Sequence, residues 1–140
     1  FQQAVQSLLE ARRVFIHGKS ASASLGQLLL FRLRRLGLLV SLLPSGGSEL
    51  LEGLAQAGEG DLVVLFSFSK VSWESRSYLP EDQRADINLF AYRGEAKEYH
   101  SMAAPAALLD ALVVAVSEEL GDRAVQRLSR LHQMKKAYRT

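Results

Sequence analysis

Five serines fall in two short stretches: Ser20 and Ser22 in "HGKSAS", and Ser67, Ser69 and Ser72 in "LFSFSKVSWE". Hydroxyls are neutral donors that can converge on an anion without filling the space around it. Each stretch follows an apolar run and opens a segment with helical character. Backbone amides with no intrahelical partner and the positive end of a helix dipole would therefore meet at each corner, a combination that suits a phosphate. Two such corners side by side would hold an anion between them. The plainer alternative for any one of these serines is a helix cap. Lys70, within the second stretch, is a cation beside the hydroxyls or simply a solvated side chain. Glu74 falls in a first helical turn, where the dipole favours a carboxylate without any catalysis.

Other chemistry finds less support. There is no cysteine, which removes disulfides and thiolate metal sites, and His17, His100 and His132 are too far apart for a zinc-ligand pattern. Carbon-to-carbon proton transfer needs a placed base. Glu49, Glu74, Glu95, Glu98 and His100 are available, but none stands in a context that singles it out. No catalytic residue, metal or cofactor is expected. The net charge of +2 over 140 residues is too small for binding of nucleic acid by the domain itself. No apolar run reaches the roughly 20 residues of a membrane span, and a cytoplasmic setting is expected. Opening at Phe1, the chain is expected to be a piece of a longer protein.

The elements that must position the corners follow from periodicity. "FQQAVQSLLEA" puts Val5, Leu8 and Leu9 on one helical face, and "RRVFIHG" reads as a strand running into a turn. "LGQLLLFRLRRLG" reads as a long helix stopped at Gly37, with Ser22 or Ser24 as its cap. "LLVSLLP" is a second strand, and "SELLEGLAQAG" a helix capped by Ser48 and ended by Gly58. "DLVVLFSF" is nearly all apolar, as expected of a central parallel strand covered on both faces. "ADINLFAY" reads as a fourth strand, and a helical stretch from about Ala103 to Ala137 breaks at Gly121 and Asp122. Alternating strands and helices predict one α/β domain over residues 1–140, a three-layer α/β/α sandwich around a parallel sheet. Between the third and fourth strands, "SKVSWESRSYLPEDQRA" holds no full crossover helix, although parallel neighbours need one.

"GKSAS" with "FSFSKVSWE" resembles the sugar isomerase (SIS) phosphosugar-binding domain. That family has a G-x-G-x-S corner after its first strand and a later S-x-S-G-x-T-x-E corner. Gly18 and Ser22 match the first, with Ser20 in place of the second glycine; Ser67, Ser69, Ser72 and Glu74 match the second, with Lys70 in place of its glycine. "AVQSLLEARRVFIHG", "RLRRLG", "GDLVVLFS", "HSMAAPAALLDALV" and "RLSRLHQMKKAY" extend the likeness to the effector domain of RpiR/MurR-type bacterial transcription regulators over nearly the whole chain. The resemblance implies a parallel sheet of about five strands. It also implies a phosphorylated sugar held by Ser22, Ser67, Ser69 and Ser72, with Gly18, Ser20, Lys70, His100 and Ser101 as secondary candidates. His100 and Ser101 enter because the family's last helix starts near the pocket, often across a dimer. The implied role is effector sensing as a homodimer or tetramer, with DNA bound only by an upstream helix-turn-helix domain outside this chain. Certain regulators of the family lack the glycine that Lys70 replaces, which points to sensing; the alternative is a phosphosugar aldose-ketose isomerase. The family also has a helix and strand after the second corner, so a segment of about 20 residues is expected to be missing near Ser75–Ser77.

Overall fold

The structure is a computed structural model that describes residues 1–68, 85–95 and 97–139. Ser69, Lys70, Ser72, Trp73, Glu74 and the expected gap near Ser75–Ser77 lie outside the described residues. Helix α1 (Gln2–Glu10) leads into β1 (Arg13–Gly18), a 3-10 turn (Ser20–Ser22) and helix α2 (Ala23–Arg35). Then come β2 (Val40–Leu42), α3 (Gly47–Leu54), β3 (Asp61–Phe66), α4 (Ala103–Leu120) and α5 (Asp122–Tyr138). The three strands form a parallel sheet in the order β2-β1-β3. From β1 the chain crosses to one side through α2, then returns over β1 to the other side through α3. Right-handed crossovers running in opposite directions place their helices on opposite faces of the sheet, which yields the three layers.

Strand register decides what each face presents. Val14 lies between Val40 and Leu62, and Ile16 between Leu42 and Val64. This face meets α2 through Leu25, Leu29 and Leu33, and α4 through Leu109, Val113 and Val116. Leu25, Leu29 and Leu33 recur every four residues, so they form one stripe along α2. Val5 and Leu8 of α1 complete the core. At Gly26 the helix comes so close to β1 that an added Cβ would stand 3.2 Å from Ile16 Cγ2. Helix α2 ends with Arg32, Arg34 and Arg35 in its last turn, cations that favour a helix C-terminus. Gly37 then takes the left-handed conformation, φ +80°, that stops it. The expected break between α4 and α5 is Gly121, also at positive φ.

Three expectations need correction. The central strand is β1, whose Val14, Phe15 and Ile16 are all buried; β3 lies at the edge of the described sheet, and its Leu65 is 45% exposed. "ADINLFAY" forms no strand, because its described residues pair with no other strand; Phe90 is 88% exposed. Among the described residues the sheet has three strands. The expected caps also differ. Helix α3 starts one residue before Ser48, behind Gly46, and no side chain caps α2 or α3.

The amino ends of β1 and β3 are fastened by charge. Asp61 accepts from Arg13 Nη2 at 2.6 Å, from Arg12 Nη2 at 3.1 Å and from the Gly58 amide at 3.0 Å, and its side chain has no exposed area. Hydrogen bonds from Arg13 and then Arg12 hold the carboxyl well below the usual carboxylate range, against a smaller opposing effect of desolvation. The unfolded chain thus takes up this proton near pH 4, before the folded one does. The stabilisation is present above about pH 4 and falls away as the pH drops further towards the folded-state value. Urea denaturation should show a midpoint that falls between about pH 6 and pH 3, and Asp61→Asn should lower the midpoint at pH 6 and shrink that fall. An acid response unchanged by Asp61→Asn would take this role from Asp61.

Candidate anion-binding site

In an open parallel sheet, ligands collect where successive crossovers leave in opposite directions, at the carboxyl ends of the diverging strands. The order β2-β1-β3 puts that point between β1 and β3. These are the strands that lead into the Gly18–Ser22 and Ser67 corners, and the Gly18↔Phe66 pairing places the two exits side by side.

The first corner is built on close contact. A Cβ on Gly18 would lie 2.8 Å from the Ser22 carbonyl oxygen and 3.1 Å from Ala23 Cα, so the 3-10 turn sits directly over the strand end. Ser20 has φ +56°, the left-handed region where a side chain is disfavoured. It stands where the resembling pattern has glycine. Ser20→Gly should therefore be neutral or stabilise by up to about 1 kcal/mol, while Ser20→Val should destabilise by about 1–2 kcal/mol. Urea midpoints in the order Gly, Ser, Val would bear this out; the reverse order would show that the backbone is unstrained.

Ser22 is only 3% exposed. Its hydroxyl accepts from the Lys19 amide at 3.0 Å and faces two carbonyl oxygens, Lys19 at 2.9 Å and Phe66 at 3.0 Å. A hydroxyl has one hydrogen. Ser22 Oγ thus stands within hydrogen-bond reach of both its own corner and the end of β3, its one hydrogen serving Lys19 O or Phe66 O. Ser24, the other cap candidate, donates instead to Ala21 O at 2.7 Å. His17, half-buried at the same end of the sheet, lies 3.2 Å from the Pro44 carbonyl oxygen through Nδ1. Burial holds it below the ordinary histidine range, with the Lys19 charge acting in the same direction and the Pro44 bond opposing.

At the second corner Ser67 is exposed, immediately after β3, while Ser69, Lys70 and Ser72 lie outside the described residues. Phe68 packs against the core. The Arg93 guanidinium lies over the Phe68 ring, 3.8 Å from its centroid, and donates to His100 Nδ1 at 3.0 Å. The Arg93 carbonyl accepts from the Ser101 amide at 2.8 Å. Ser101 Oγ accepts from the Ala103 amide at 3.1 Å and so satisfies one orphan donor at the start of α4. His100 and Ser101 are thereby tied to the exit of β3 through Arg93, a residue for which the sequence offers no motif. Of the carboxylates considered as bases, Glu74 lies outside the described residues, and Glu95 and Glu98 lie in the segment that joins Arg93 to His100. Glu49 is exposed in α3's first turn, Glu95 accepts from the Tyr92 hydroxyl, and Glu98 from the Glu95 amide. Among the described residues no three acidic, histidine or cysteine side chains converge as metal ligands, and no helix is long and apolar enough to cross a membrane.

No protein-family model and no curated protein matches the chain. A solved structure does: the sugar isomerase domain of an RpiR transcription factor from Sphaerobacter thermophilus, TM-score 0.80 and 21% identity, covering 94% of this chain and 84% of that one. The chain has the sugar isomerase domain fold. In this fold the two corners occupy the strand ends at which the sheet order reverses, and Ser22 is the side chain that joins them.

Proposed function

We propose that this chain is the effector-sensing domain of an RpiR-type transcriptional regulator, binding a phosphorylated sugar between its two serine corners. The observation that carries this reading is the fastening of the Gly18–Ser22 corner to the end of β3 at the point where the strand order reverses. Ser67 with Ser69 and Ser72 supplies hydroxyls, and Ser22 with Gly18 and Ser20 shapes the facing wall. His100 and Ser101 are tied to this end of β3 through Arg93, and Lys70 is a further candidate contact. The transcription-factor neighbour supports sensing over catalysis. The setting is the cytoplasm, and DNA is bound by a helix-turn-helix domain carried elsewhere in the protein. Ligand controls that domain by preferring one arrangement of paired subunits.

A face for the second subunit is offered by α2 and α4, where Phe31 is 55% and Val114 43% exposed. Arg35 and Glu118 flank a cavity between these helices, so the patch carries both signs of charge and can meet its own copy across a twofold axis.

The test is a thermal-shift panel of sugar phosphates against the matching free sugars. A shift with a phosphosugar and none with its free sugar is expected, lost in Ser67→Ala/Ser69→Ala while the unliganded midpoint stays nearly unchanged. Survival of binding in that double variant would end the site assignment, and turnover of the bound sugar would make the chain an isomerase. Light scattering on the same preparation reads the assembly; a monomer would end the pairing.

A further inference from the structure

The hydroxyls and amides of the two corners are neutral donors, yet a phosphate monoester carries close to two negative charges at neutral pH. We propose that Arg93 supplies a cationic contact of this site besides the candidate Lys70, taking phosphoryl oxygens of the bound sugar phosphate with its guanidinium fork; this rests on the phosphosugar reading above.

Among the described arginines Arg35 also lies over an aromatic ring, that of Phe31 at 5.3 Å, so it is the surroundings and place of Arg93 that set it apart. Arg12 and Arg13 pair with Asp61, and Arg32 with Asp110; Arg34 and Arg127 donate to the carbonyl oxygens of Val40 and Leu36. Arg93 is half-buried, and its partners are a histidine ring nitrogen at 3.0 Å and, weakly, the Met102 sulfur at 3.9 Å. A guanidinium only donates, so His100 Nδ1 must be the unprotonated nitrogen, and neither partner brings negative charge. Among the described residues no carboxylate meets this cation. Its place is equally specific. The guanidinium covers the ring of Phe68, the residue directly after Ser67, and its own backbone holds Ser101 at the start of α4. The cation is thus held between the serine corner and the first turn of α4. An aromatic ring on one face and a hydrogen bond at one edge restrict its rotamers, so little side-chain freedom remains to be lost on binding. Its remaining N–H groups match the bidentate geometry of a phosphate.

The experiment uses the full chain with Arg93→Gln, Arg93→Lys and Phe68→Leu, and isothermal titration with whichever sugar phosphate shifts the wild type. Arg93→Gln should weaken binding by about tenfold or more, the scale of a lost charge-assisted contact. Arg93→Lys should recover part of that loss, keeping the charge without the fork. Phe68→Leu should fall between, since it frees the guanidinium without removing it. Salt should weaken wild-type binding more steeply than that of Arg93→Gln. Wild-type affinity in Arg93→Gln would overturn the proposal while leaving the phosphosugar reading intact.

A second measurement does not depend on finding the right sugar. Inorganic phosphate, titrated into wild type while the Arg93 side-chain Nε–H resonance is followed by NMR, should move that resonance. Chloride at equal ionic strength should not. A resonance that stays still under phosphate, or moves equally with chloride, would overturn the proposal even in a variant-free sample.

Discussion

Replacing Gly18 with alanine should remove sugar-phosphate binding and cost about 1–3 kcal/mol of stability, the range for a group forced into filled space. The added methyl would stand 2.8 Å from the Ser22 carbonyl oxygen and 3.0 Å from its carbonyl carbon. Both are backbone atoms, which cannot swing aside as a flexible side chain does. Relief requires lifting the 3-10 turn off the end of β1. That motion pulls Ser22 Oγ away from Phe66 O, now 3.0 Å distant, and separates the two corners. The Phe66 carbonyl would then lose Ser22 as a partner, at a further cost. Urea denaturation reads the stability and titration with the shifting sugar phosphate reads the site. A variant that binds normally would show that the first corner does not shape the pocket.

Leu33→Ala should have the largest effect on stability, about 3–4 kcal/mol, or roughly a 10 °C drop in Tm. Leu33 has no exposed area and belongs to the α2 stripe packed between β1 and α4. Its carbonyl also accepts from the Leu36 and Leu38 amides where the helix ends, so the surrounding backbone is held and collapses poorly into the space left behind. Ligand affinity, measured well below the lowered Tm, should change little, because the corners lie at the opposite end of α2. A loss under 1 kcal/mol would mean that the core relaxes around the deletion. Set beside Gly18→Ala, this variant separates damage to the scaffold from damage to the site.

Most of the scaffold was legible because its signals are local. The four-residue recurrence of Leu25, Leu29 and Leu33, the apolar run of β3 and the stops at Gly37 and Gly121 each announce an element within a dozen residues. The strand order was less legible. The charge on Arg13 and the imidazole of His17 hide the central place of β1, since Asp61 from β3 neutralises Arg13 and the Pro44 carbonyl meets His17. Both partners are distant in sequence. "INLFAY" has every β-forming residue type a strand needs, but a strand exists only through a partner. At the site, the serine pattern was visible and the use of one serine was not. Ser22 looks like a cap or a ligand donor; its bond to Phe66 depends on two strand ends meeting across 44 positions. Arg93 carried no signal at all, since its significance comes from Phe68 beneath it and from His100 and Ser101, which it holds.

The charge clamp of Asp61 with Arg12 and Arg13 has a consequence for how such a domain diversifies. It secures the sheet at the rim farthest from the serine corners, together with the Gly58 amide and the Gln56 carbonyl. Descendants of this sequence are thus free to trade Ser20, Ser67 or their neighbours for other side chains without loosening the strands. The corners can change at one rim while heritable fold integrity is guarded at the other. Grafting the corners of another domain of this fold onto this chain should be tolerated, provided Gly18 and Ser22 are carried across as a pair.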